Sequence, residues 1–203
     1  MKVGILIDAW FPIVGGGQIH VWEIADRMVK SKDVQIEIIT RKLKNETGKI
    51  FGEEENYHYG RLRIKRLGIA TKWANLIGEI SYLFSSFLFL LKEDFDIIHA
   101  QPFLPALPAK LSSLIKRKPI VLTVHGTRLF ENKNIKTPSR ILEKYILTKI
   151  NYDLQISVTR AFLKIRNNNK KITVIPNGIE LGDFRKLKNS KSILPQNSLG
   201  WKV

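Results

Sequence analysis

Residues 3–7, Val-Gly-Ile-Leu-Ile, form a short apolar run that stops at Asp8. The chain then passes through Trp10-Phe11-Pro12 into Gly15-Gly16-Gly17, and a helical pattern follows at once. Val21, Trp22, Ala25, Met28 and Val29 recur on one face while Glu23, Arg27 and Lys30 fall on the other, the 3.6-residue period of an amphipathic helix. A buried strand, a glycine loop and a helix in this order constrain the fold more than any other stretch. The loop delivers free backbone N–H groups to the positive end of a helix dipole, where phosphate is favoured. Glycine lets a ligand approach the backbone closely. Three glycines making only a flexible turn is the plain alternative.

The same alternation continues along the chain. Strands are predicted over residues 34–40, 61–66, 95–100, 119–124, 154–158 and 172–175, and helices over 73–91, 106–116, from Ser139 as N-cap, and 159–165. In the helix after Ser139, Ile141, Leu142, Tyr145 and Ile146 share one face. Residues 41–60 are polar and read as a loop with room for a short hairpin, and Pro176-Asn177-Gly178 is a turn. Several strands are apolar on both faces. The pattern therefore predicts a doubly wound, mostly parallel Rossmann-like α/β sheet of six or seven strands with right-handed crossovers. Ligands bind such sheets beyond the carboxyl ends of the strands. That edge would collect Asp8, Gly15 to Gly17, His99, His125, Gly126 and Ser157. His99 reads as a strand-end residue bonded to backbone, and Gln18 and His20 face either ligand or solvent.

With 203 residues, 44% of them hydrophobic, the chain can enclose one core but not two full domains. It has no cysteine, which excludes disulfides and thiolate metal sites and suits a reducing, cytoplasmic compartment. No signal peptide is expected, because Asp8 breaks the first apolar run. The net charge of +16 calls for an anionic partner. The basic residues are scattered and accompany no nucleic-acid-binding motif, so no specific nucleic acid is expected. The apolar segment 73–91 is interrupted by Asn75, Glu79, Ser81, Ser85 and Ser86 and is too short to span a bilayer. It reads as a buried helix. The alternative is a helix lying on an anionic membrane surface, anchored by Trp73, Lys72 and Lys92. Order decays after Gly178: residues 181–203 read as a linker or tail behind a domain of residues 1–180.

Several short segments, in order, resemble one family. Phe11-Pro12 with Gly15-Gly16, Phe95-Asp96-Ile97-Ile98-His99-Ala100, Thr123-Val124-His125-Gly126, Asp153-Leu154-Gln155-Ile156-Ser157, and Val174-Ile175-Pro176-Asn177-Gly178-Ile179-Glu180 with Phe184 are similar to the N-terminal domain of GT-B glycosyltransferases of the retaining family four. Glu180 replaces the usual Asp, and Ile13-Val14-Gly15 lacks the lysine that glycogen and starch synthases carry there. The resemblance implies transfer of a sugar from a nucleotide-sugar donor to a sugar, polysaccharide or lipid-linked acceptor, with retention, no metal and no other cofactor. It implies that His125 positions the donor sugar and that Gly15, Gly16, Gly17, Gln18 and Gly126 face donor or acceptor. Asp8, His20, His99 and Arg128 are secondary candidates. It also implies a second, donor-binding domain that these residues do not contain, without which the chain would be inactive.

Two other classes stay open on the residues alone. A nicotinamide-dependent enzyme shares strand, glycines and helix, and Arg41 would meet a 2′-phosphate. However, the glycine spacing is not G-x-G-x-x-G, and no acid ends the second strand. A non-enzymatic basic module for anionic membrane or nucleic acid would show steep salt dependence.

Overall fold

The computed structural model describes residues 1–31, 33–45, 47–52, 54–72, 75–127 and 137–178. Each apolar run read as a strand pairs with a parallel neighbour. In chain order the elements are β1 (Lys2–Ile7), α1 (Gly16–Lys30), β2 (Gln35–Leu43), β3 (Glu54–Tyr57), β4 (Leu62–Thr71), α2 (Leu76–Lys92), β5 (Ile97–Gln101), α3 (Ala106–Lys116), β6 (Ile120–Val124), α4 (Pro138–Thr148), β7 (Leu154–Ser157) and β8 (Ile172–Val174). They form one sheet in the order β3-β4-β2-β1-β5-β6-β7-β8. Only β3, from the polar stretch after β2, runs antiparallel, against β4. It covers β4 and becomes the sheet edge itself, with a short polar sequence that suits an exposed edge.

The strand order reverses at β1, which pairs with β2 on one side and β5 on the other. Right-handed crossovers therefore send α1 to one face and α2, α3 and α4 to the other. The core divides accordingly. Val21, Ala25 and Val29 of α1 pack on Val3, Ile5, Ile36, Ile38, Leu62 and Ile64. Tyr82 and Leu90 of α2, Ala109 of α3 and Ile146 of α4 pack with Leu6, Ile39, Ile98 and Leu122. Burying each such aliphatic side chain contributes about 1.5–3 kcal/mol. Tyr82 also donates its hydroxyl to Ile7 O and Ile39 O at 3.2 and 3.1 Å, tying α2 to the ends of β1 and β2.

Four local expectations are corrected. Thr137, not Ser139, caps α4: its Oγ1 accepts from Arg140 N at 3.3 Å and Pro138 opens the helix. Of the four apolar residues read as the buried face of α4, Ile146 is buried while Ile141, Leu142 and Tyr145 are exposed. The helix is turned so that Glu143 points inward, because its Oε1 accepts the Thr127 hydroxyl at 2.8 Å. The helix read over 159–165 is a 3-10 turn, Arg160–Lys164, capped by Thr159. The helix read as wholly buried, α2, buries only the stripe Gly78, Tyr82, Ser86 and Leu90. Trp73, the predicted boundary at 180 and residues 181–203 lie outside the described residues. Among the described residues no helix is long and apolar enough to cross a membrane.

Candidate active site

The reversal of strand order opens a crevice between the carboxyl ends of β1 and β5, the place where doubly wound sheets bind ligands. The β1–α1 loop forms one wall. Gly15 is the N-cap of α1, no side chain caps it, and the first turn holds no acid. The N–H groups of Gly16, Gly17 and Gln18 thus begin a helix without intrahelical acceptors. A Cβ on Gly16 would meet no atom within 4 Å, whereas one on Gly17 would lie 3.8 Å from His125 Cδ2. The helix start at Gly17 therefore sits beside the imidazole that follows β6, with room for a methyl group between them.

His125 is held from two directions. Its Nε2–H donates to Gln101 Oε1 at 2.6 Å, and the His20 ring stands edge-on to it, with centroids 4.6 Å apart. That hydrogen bond assigns the proton to Nε2 and leaves Nδ1 as a bare acceptor. Nδ1 is buried and has no partner among the described residues. Behind it, Gln101 Nε2 lies 3.5 Å from His99 Nε2, which meets Thr123 Oγ1 at 2.7 Å. Burial, then neighbouring His20, pulls the His125 pKa down to about 4. Burial, then His125 and His20, does the same to His99, and burial lowers His20. The site is therefore a neutral imidazole set beside a positive helix end. Of the two residues that orient the imidazoles, Thr123 stood in the Thr123-Val124-His125-Gly126 segment without a role of its own, and Gln101, one residue past the strand read over 95–100, carried no signal but its place at the end of β5.

The other predicted residues divide. His20, His125, Gly15 to Gly17 and, through the polar chain, His99 are brought together. Gln18 turns back: its Nε2 donates to Ala9 O at 3.3 Å, so it braces the loop. Gly126 lies in open space beyond β6. Asp8 goes elsewhere. It stands 3.6 Å from the wholly buried Arg41, which Glu79 of α2 approaches to 3.3 Å. Burial raises the Asp8 pKa, Arg41 opposes the shift and Glu79 reinforces it. This ion cluster pins α2 to the strand ends, and its Arg41 is enclosed rather than offered to a 2′-phosphate. Residues 128–136, Arg128 among them, lie outside the described residues. Among the described residues no group of three His, Cys, Asp or Glu side chains is placed to hold a metal ion.

A second feature was not legible in the sequence. His20 and Trp22 leave α1 on opposite flanks, and on the Trp22 side a cavity of about 400 Å³ opens between the β1–α1 loop and β3–β4. Trp10, Phe11, Trp22 and Tyr57 wall it, with Trp22 and Tyr57 in edge contact at 5.2 Å. Arg66 lies at its base, bonded to Phe11 O at 3.1 Å and to Glu55 Oε1, with Nε buried and unpartnered. The Tyr57 hydroxyl donates to Glu55 Oε2 at 2.8 Å, and burial and that carboxylate push its pKa up to about 12.

Comparison with known proteins agrees with this fold. The chain matches Glycosyltransferase Family 4 over residues 14–183. It belongs to that family. No curated protein sequence matches it significantly. Among solved structures it is similar to sucrose-phosphate synthase from Thermosynechococcus elongatus, with TM-score 0.66 and 17% identity, covering 97% of this chain and 53% of that one. HepE from Anabaena, solved in complex with UDP-glucose, aligns with TM-score 0.58 and 14% identity over 93% of this chain and 49% of its own. Trehalose-6-phosphate synthase OtsA aligns with TM-score 0.54 and 15% identity over 98% and 54%. These likenesses define a GT-B-type Rossmann-like fold, and the chain spans about half the length of these three proteins.

Proposed function

We propose that this chain is the acceptor-side half of a retaining glycosyltransferase using a nucleotide-activated sugar. The observation that carries the reading is the neutral imidazole of His125, held by Gln101 and set beside the uncapped glycine N-terminus of α1. The complex of HepE with UDP-glucose supports the donor class. In this reading the N–H groups of residues 16–18 and the helix dipole meet the diphosphate. The imidazole of His125 stands beside the donor sugar and orients its anomeric carbon. The bond from that carbon to the phosphate oxygen breaks as the bond to the acceptor oxygen forms on the same face, and the acceptor proton passes to the departing phosphate. The protein supplies position and charge stabilisation rather than a nucleophile, and the reaction needs no metal or other cofactor. The aromatic cavity beside the loop suits a sugar ring or apolar portion of the acceptor, with Trp22 as a stacking face.

The test is replacement by Ala of the histidine corresponding to His125 in a full-length two-domain relative, assayed by transfer of radiolabelled glucose from UDP-glucose. Activity should fall by about 10²-fold or more with little change in melting temperature. Equal loss of stability and activity would make His125 a core residue and remove the basis of the reading.

A further inference from the structure

The two sides of the sheet differ in what they show to solvent. On one side, α1 has an ordinary outer surface: Arg27 pairs with Glu23 at 3.1 Å and Lys30 with Asp26 at 2.7 Å. On the other side, the outward surfaces of α2, α3 and α4 are apolar. Ile80 and Phe84 on α2, Leu114 and Ile115 on α3, and Ile141 and Tyr145 on α4 are each 57–63% exposed. On α2 these residues stand opposite the buried stripe of Tyr82 and Ser86, so the helix is apolar on both sides although it covers the sheet with only one. A helix apolar all round is normally enclosed; α2 and α3 pack side by side, and the exposed apolar surface they share marks an interaction face that α4 extends.

The charges on the outer surfaces of α3 and α4 are basic, and the acids nearby, Glu93 and Asp94, lie at the end of α2, where Asp94 pairs with Lys118. Lys110 and Lys116 lie on α3, which has no acid. Arg140 and Lys144 lie on α4, whose single acid, Glu143, is turned inward and buried. Arg117 follows α3. A second copy of the chain docking by the same face would oppose like charges across the contact. An anionic bilayer supplies both terms the face lacks: an apolar layer for Ile80, Phe84 and Leu114, and phosphates for the lysines. Tyr145 matches the headgroup level, where one end of a ring is dry and the other wet.

We infer that the α2–α4 face is a peripheral docking surface for anionic lipid. It does not depend on the transferase reading. Docking on the helix flanks leaves the carboxyl edge of the sheet, with His125 and the glycine loop, open along the bilayer surface.

The experiment is flotation of the 203-residue chain with vesicles of phosphatidylcholine alone and of phosphatidylcholine mixed with phosphatidylglycerol, at low and high salt. The expected result is flotation with the anionic vesicles at low salt and release by salt. Lys110→Glu with Lys144→Glu should weaken binding about fivefold or more per residue. Ile80→Ser with Phe84→Ser should weaken it about tenfold or more. Neither pair should lower the melting temperature appreciably, since Ile80, Phe84 and Lys144 are exposed and Lys110 is only half-buried. Absence of flotation at low salt overturns the inference. So does binding that the Ile80 and Phe84 substitutions leave intact, which would make the attraction purely electrostatic. A concentration-dependent dimer in ultracentrifugation, abolished by those substitutions, overturns it as well and assigns the face to self-association.

Discussion

His125 shows how much one residue's chemistry depends on neighbours far away in sequence. Its proton is set by Gln101, its charge by burial and His20, and its second nitrogen has no partner among the described residues. Gly16 is the sharper experimental handle. A methyl group there meets no atom within 4 Å, so Gly16→Ala fits the fold and gains helix propensity of up to about 1 kcal/mol. On the proposed function, the same methyl group would stand where the donor diphosphate approaches the first N–H groups. Gly16→Ala should therefore raise the melting temperature slightly while weakening UDP-glucose binding by about tenfold, read by calorimetry. Unchanged affinity would show that the helix end does not meet the donor.

At the scale of elements, α2 is the piece whose two sides have different work. Its inner stripe and the Asp8–Arg41–Glu79 cluster fasten it over β2 and β4. The fit is close at Gly78, where a Cβ would come within 2.0 Å of Thr71 Oγ1 and 3.1 Å of Thr71 Cβ. Propensity alone favours Gly78→Ala by up to about 1 kcal/mol, but steric conflict with a packed strand costs about 1–3 kcal/mol. The expected outcome is net destabilisation, seen as a lower denaturation midpoint. Stabilisation would show that α2 packs more loosely on β4 than described. The apolar periodicity of α2 and α4 was legible in the sequence; which stripe faced inward was not. In α4 a single hydrogen bond, from Thr127 to Glu143, accompanies the rotation of the helix.

At the scale of the whole molecule, the buried imidazoles couple folding to pH. His99 and His125 titrate near 4 in the folded chain and near 6.5 when unfolded. Between those values the unfolded chain binds more protons, so stability rises with pH. The contribution is fully present above about pH 6.5 and is lost as pH falls towards about 4. Asp8, whose pKa is raised, acts oppositely over the lower part of that range. The melting temperature should drop between about pH 7 and about pH 4.5, and the His99 and His125 ring signals should show no titration above about pH 5 by NMR. Imidazoles titrating near 6.5 in the folded state would contradict their burial.

The order of strands and helices, the mostly parallel sheet and the glycine-led helix start were determined by the chain itself, because period and turn chemistry are local properties. Seven strands were readable as β-rich apolar runs. The eighth, β3, was not, because Glu54-Glu55-Asn56-Tyr57 pairs on an exposed sheet edge and carries no apolar pattern. His125 and the glycines were readable as candidates for the same reason: each follows a strand that must end at the same edge. Only the tertiary structure decided that Gly17 abuts His125, that Gln101 sets its tautomer, that Gln18 braces the loop, and that Asp8 and Arg41 are enclosed together. Those outcomes depend on side-chain direction and crossover hand. They join residues from different strands, and no local pattern in the chain encodes such distances.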